Sequence, residues 1–154
     1  MGLQDLLAAL DEILTGAAIS KDRQNLVRSL VLLWHDHLDE SHNLSQQVGS
    51  RDGSYVHGLM HRREPDYGNA RYWFHKVGQH PAFPALGEGV TKRLEQRERQ
   101  GLAQALLPDN RWDSIAMVDL CETAATAPAE DMLREVMMDL QTVEFKVLLN
   151  HLST

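Results

Sequence analysis

Apolar residues along the chain recur at three and four residues, the period of a helix with one face turned to a core. Leu3, Leu6, Leu7, Leu10, Ile13 and Leu14 open the series, and Thr15-Gly16 closes it, which predicts a short amphipathic helix. A longer helix follows over about 22–48, with Ser20 as a possible cap and Gly49 in the position that tolerates positive φ. A short helix runs from Ser54 to about Arg63. Glu64-Pro65 breaks it, because the residue before proline is pushed out of the α region, and Pro65 suits the first turn of a new helix to about Val77. The stretch 79–89 reads as loop, 90–106 as a charged helix, and 114–126 as a helix capped by Asp113. Pro128 opens the last helix, whose core stripe is Leu133, Val136, Met137, Leu140, Val143, Val147 and Leu148.

No run of four to eight alternating residues predicts a strand. The expected fold is therefore all-α, a compact single-domain bundle of six or seven helices spanning 1–154. A chain of 154 residues buries enough surface to fold without disulfide or metal staples.

Composition narrows the classes. The net charge of −7 argues against nucleic acid as a partner, and no apolar run reaches the length of a membrane span. The start of the chain lacks the basic region of a signal peptide, and the single Cys121 offers no internal disulfide, so a reducing cytoplasm is the expected location. The acidity is uneven. From Asp109 onward nine acidic residues stand against three basic ones, whereas from Arg51 to His80 five basic residues outnumber three acidic ones.

That basic segment overlaps the chemical outlier of the chain. Seven of the eight histidines lie between His35 and His80, and six of the nine aromatics between Tyr55 and Phe83. His37 and Ser41 fall within the apolar arc of the second predicted helix, where a histidine is most simply a hydrogen-bonded core residue. His57, His61 and Glu64 stand at i, i+4 and i+7 on one helical face, the placement two imidazoles need to share a metal ion. The pair lacks the glutamate that follows the first histidine in zinc peptidases, because Gly58 is there, which disfavours that mechanism. His42 with Asp39 or Glu40 from the preceding helix would complete a site of the kind helical bundles build.

The expected metal ligands are thus His42, His57, His61, Glu64 and Asp39, holding zinc, iron or nickel. Arg62 and Arg63 would orient a small anionic substrate. A metal-free alternative is an anion-binding module or acid/base enzyme in which Arg62, Arg63 and His80 hold the ligand and Glu64 or His61 moves a proton. A third reading is a structural or interaction protein with a buried polar network, its acidic last helices meeting a basic partner. Cys121, among Ile115, Val118 and Ala125, reads as a small core residue; Asp119 and Glu122 read as a solvated face. Trp73 reads as core, and Met132, Met137 and Met138 as gap-filling core.

The stretches Leu38-Asp39-Glu40-Ser41-His42, His57-Gly58-Leu59-Met60-His61-Arg62-Arg63-Glu64-Pro65-Asp66-Tyr67, Tyr72-Trp73-Phe74-His75-Lys76-Val77-Gly78-Gln79-His80-Pro81 and Val118-Asp119-Leu120-Cys121-Glu122 resemble a family of small, mainly bacterial proteins with no assigned activity. The resemblance covers about 30–85 and the helix after Asp113. It implies His42, His57, His61, Glu64, Asp66 and His80 as the positions of interest and adds no mechanism.

Overall fold

A computed structural model describes residues 2–154. Among them are nine α-helices and no strand: α1 (Leu3–Leu14), α2 (Lys21–Trp34), α3 (Leu38–Ser45), α4 (Arg51–Arg63), α5 (Tyr67–Val77), α6 (Phe83–Gln96), α7 (Ala103–Leu106), α8 (Ser114–Ala125) and α9 (Leu133–Leu152). The all-α expectation holds, with more helices than six or seven because two long predictions break. No helix among the described residues is long and apolar enough to cross a membrane.

Both breaks have one cause. At the end of α2, Asp36 takes φ 64°, its N–H donates to the Leu33 carbonyl and the His37 N–H to the Leu32 carbonyl. This is a Schellman stop with aspartate in the left-handed position usually held by glycine. The chain then turns into α3 instead of continuing to Val48. At the end of α6, Glu98 takes φ 56°, with N–H bonds from Glu98 to the Glu95 carbonyl and from Arg99 to the Leu94 carbonyl.

α6 also begins earlier than its sequence suggests. Pro84 sits in its first turn, where a missing N–H costs nothing, and Gly87 and Gly89 lie inside the helix. A Cβ at either would come within 2.9 Å of Leu107 or Val143, so both mark close packing against neighbours. Two caps follow expectation: Ser20 accepts from the Arg23 N–H, and Asp113 accepts from the N–H groups of Ile115 and Ala116; α4, however, starts at Arg51 rather than Ser54, because Ser50 caps it by accepting from the Gly53 N–H. α5 starts at Tyr67 rather than Pro65, with Asp66 as its cap, and α9 starts at Leu133, after a short 3-10 turn and Met132 at φ 54°.

One continuous core joins residues of α2, α4, α5, α6, α8 and α9, while Leu6 and Leu10 of α1 pack on Leu32 of α2 in a smaller cluster. α2 and α3 are fastened by a buried serine pair: Ser29 Oγ donates to the Ser41 carbonyl (2.6 Å) and Ser41 Oγ to the Ser29 carbonyl (2.8 Å). Of the three methionines assigned to the core of the last helix, Met137 is buried, whereas Met132 and Met138 are exposed.

Arg62 and Glu144 form an ion pair within the core. Arg62 Nη2 donates to Glu144 Oε1 at 2.5 Å, and the Tyr55 hydroxyl donates to Glu144 Oε2 at 2.7 Å. Burial alone would favour a neutral Arg62, but Glu144 more than reverses that and holds the guanidinium charged. Burial, then the Glu144 charge, raises the Tyr55 phenol well above its usual range. Glu144 lies in the apolar stripe of α9, one turn from both Leu140 and Leu148, and ties that helix to α4. Removing one partner of such a pair leaves a buried charge uncompensated. Glu144→Ala is therefore expected to lower the unfolding free energy by about 3–5 kcal/mol, read from urea denaturation, and Arg62→Met with Glu144→Met to recover a large part of that loss.

Candidate metal centre

α4 carries His57 and His61 one turn apart. The site around them depends on how closely α5 approaches. Gly58 makes that approach possible, since a Cβ there would lie 3.1 Å from the Phe74 ring. The residue that would be the zinc-peptidase glutamate is therefore a packing position. Trp73, also on α5 and only partly buried, stacks on His57 with ring centroids 3.9 Å apart and planes 14° from parallel.

His57 in turn stacks on His61 at 4.8 Å, and His42 of α3 meets both edge-on, at 4.6 Å from His57 and 5.6 Å from His61. One ring nitrogen from each of the three lies within 4.8 Å of the others. A tetrahedral centre with metal–nitrogen bonds of about 2.0–2.1 Å places its nitrogens roughly 3.4 Å apart, so closing on an ion asks each ring to move by about 1 Å. Both α4 histidines are nearly inaccessible, at 5% and 6% exposure, while His42 is half-buried.

At His57 electrostatics favours a lone pair over a proton. Desolvation, followed by the neighbouring His61, His42 and Lys76, pushes His57 down to about 4. His61 Nδ1 lies 3.0 Å from Glu64 Oε1, so the Nδ1–H donates to that carboxylate and Nε2 carries the lone pair. A carboxylate holding the far nitrogen of a histidine is the usual support of a metal-ligating imidazole.

The structure thus brings together His42, His57 and His61 as the sequence suggests, and changes the part of Glu64. At the C-terminal cap of α4, Glu64 reaches Nδ1 of His61 and, with Asp66, forms a second group in which two exposed carboxylates meet the buried His61. Asp39 is exposed in the first turn of α3 and stands outside these groups. The break after Trp34 reorients α3, so the face computed from one continuous helix does not apply to it. His37 is likewise not a satisfied core histidine: it precedes α3, and its buried Nε2 has no hydrogen-bond partner.

The anion-binding assignments change further. Arg62 is buried against Glu144 and Arg63 pairs with Asp36 at 2.8 Å. His80 lies in a different cluster, which the sequence reading missed. Its Nε2 is 2.6 Å from Asp52 Oδ1, and His151 Nε2 reaches the same oxygen at 3.0 Å. Arg23 stands 3.9 Å from the other oxygen. These contacts join the start of α4, the segment before α6 and the end of α9. The hydrogen bond from His80, then burial working against it and the His151 charge, leaves Asp52 below its ordinary value.

The chemistry of this second cluster differs from the first. The Ala82 N–H donates to His80 Nδ1 at 3.0 Å, which places the lone pair on Nδ1 and the proton on Nε2, donating to Asp52. Ligating a metal through Nε2 would require stripping that proton while Nδ1 faces an N–H, a disfavoured state. Asp52, His80 and His151 form a hydrogen-bonded clasp. Asp119 and Glu122, read as a solvated face, are exposed and both hold Arg71. Burial raises the Cys121 thiol, consistent with a packing residue.

No family model, curated protein or solved structure matches the chain.

The depressed His57 gives stability a definite pH slope. Between the ordinary imidazole value of about 6.5 and 4, the unfolded chain binds a proton that folded His57 refuses, so stability is full above this window and falls as pH drops through it. Asp52 acts lower, its contribution present above 3.8 and lost as pH falls through its depressed folded value. In chelator, urea midpoints of the His57→Phe variant should decline less between pH 6.5 and 4.5 than those of the parent protein; parallel curves would contradict this origin of the slope.

Proposed function

We propose that the protein is a metal-binding protein whose centre is His42, His57 and His61, taking a divalent transition ion such as zinc, iron or nickel. The observation that carries this reading is the convergence of three imidazole nitrogens from α3 and α4, with His61 Nδ1 donating to Glu64. Glu64 orients His61 and fixes its tautomer. Three protein nitrogens leave a fourth position for water or substrate, the composition of catalytic rather than closed structural zinc sites. An ion there would polarise an oxygen ligand or lower the pKa of a bound water. Lys76, whose ammonium lies 4.8 Å from the Trp73 ring centroid and whose charge acts on His57, supplies a cation beside that position for an anionic ligand.

Purification without an affinity tag, removal of metal by chelator and titration with zinc or cobalt test the reading. Binding of about one equivalent is expected, with a cobalt spectrum of tetrahedral intensity. His42→Ala should lower affinity by at least about 100-fold and Glu64→Gln by about 10–100-fold, whereas Asp52→Asn should leave both stoichiometry and affinity unchanged. Uptake below about a tenth of an equivalent, or loss on Asp52→Asn but not on His42→Ala, would overturn it.

A further inference from the structure

A cleft of about 480 Å³ opens between the end of α4, α8 and α9. Its cationic lining is Arg62, Arg63 and Arg134, and among the described residues no carboxylate lines it. Each guanidinium has donor capacity to spare. Arg62 is tied to Glu144 through Nη2 alone, and its buried Nη1 has no partner. Arg63 is held by Asp36, which does not line the cleft. Arg134 donates only to the neutral Ala125 carbonyl and has no acidic partner among the described residues. The nearby Glu122, which acts on Tyr67, is held by Arg71.

The rest of the lining has a second character. Pro65, the Tyr67 ring, Ala124, Met137 and Met138 form apolar walls, and Gln141 adds an amide. Guanidinium groups match the planar geometry of carboxylate and phosphate oxygens. Binding sites for organic ligands commonly join a few such polar groups to an apolar surround of about 300–1,000 Å³.

We propose that this cleft binds a small organic oxyanion, a carboxylate or phosphomonoester with an apolar body, with Arg134 and Arg63 contacting the oxyanion, the Glu144-paired Arg62 flooring the cleft with its unpartnered Nη1, and Tyr67, Met137 and Met138 packing the body. The site is separate from the three-histidine centre and does not depend on a metal. It keeps the anionic ligand expected from sequence, retains Arg62 and Arg63, and replaces His80 by Arg134.

The test is calorimetric titration of the metal-free full chain with phenyl phosphate, benzoate and inorganic phosphate at low salt. Saturable binding of phenyl phosphate or benzoate is expected, at least about tenfold tighter than inorganic phosphate, a difference of 1.4 kcal/mol. Arg134→Ala and Arg63→Ala, both at exposed positions, should each weaken it about tenfold or more, and circular dichroism should show both folded. The His42→Ala variant should bind as the parent does, so that failure of the metal centre and failure of this cleft are told apart. Absence of saturable binding, binding unchanged in both arginine variants, or inorganic phosphate binding as tightly as phenyl phosphate would overturn the proposal.

Discussion

The geometry of α4 rests on a charge buried in the core. Arg62 could have faced solvent at the end of its helix, yet it is turned inward against Glu144, whose other oxygen takes the Tyr55 hydroxyl. Two of the three participants lie on α4, seven residues apart, so the contact fixes the rotation of that helix about its own axis as well as its distance from α9. Apolar packing would resist slippage less sharply, because methyl surfaces tolerate small rotations that a two-point hydrogen-bonded carboxylate does not. His57 and His61 sit between those two anchors. The rotation that satisfies Glu144 is also the one that presents both imidazoles to His42 and lays His57 on Trp73.

Histidine content alone does not separate the two imidazole clusters; the partner of the remote nitrogen does. At His61 a carboxylate accepts the hydrogen bond of Nδ1–H and leaves the lone pair on Nε2. At His80 a backbone amide donates to Nδ1 and forces the proton onto Nε2. The same side chain becomes a lone-pair donor in one place and a hydrogen-bond donor in the other. The second arrangement is suited to fastening three distant parts of the chain through one carboxylate, and Arg23 extends it by donating to the carbonyls of His151 and Thr154.

Much of the architecture is legible in the residue pattern, and the failures have specific causes. Apolar periodicity and the caps Ser20 and Asp113 locate α1, α5, α8 and the start of α2 closely. The breaks after Trp34 and Gln96 are hidden because aspartate and glutamate occupy the left-handed positions, where sequence reading looks for glycine or asparagine. At Asp36 the residue type has a second use, since its carboxylate meets Arg63. The histidine triad is legible from spacing because His57 and His61 share a helical face, which requires no tertiary knowledge. Asp52 and His151 are not, being 99 residues apart. Glu144 could have been found: it interrupts the stripe Leu133, Met137, Leu140, Leu148 and Leu152 at a position where only a paired charge is tolerated.

The stacking of Trp73 on His57 couples an optical chromophore to the imidazole group. The other two tryptophans lie away from it: Trp34 is exposed and lies tilted against Phe145, and Trp112 is buried with its indole N–H on Ser114. An indole in van der Waals contact with an imidazole feels a change in that ring's charge or electron density directly, through the same π faces that hold the pair together. The molecule therefore carries its own emission probe, with one of three indoles reporting on the electronic state of the triad while the other two provide an internal baseline.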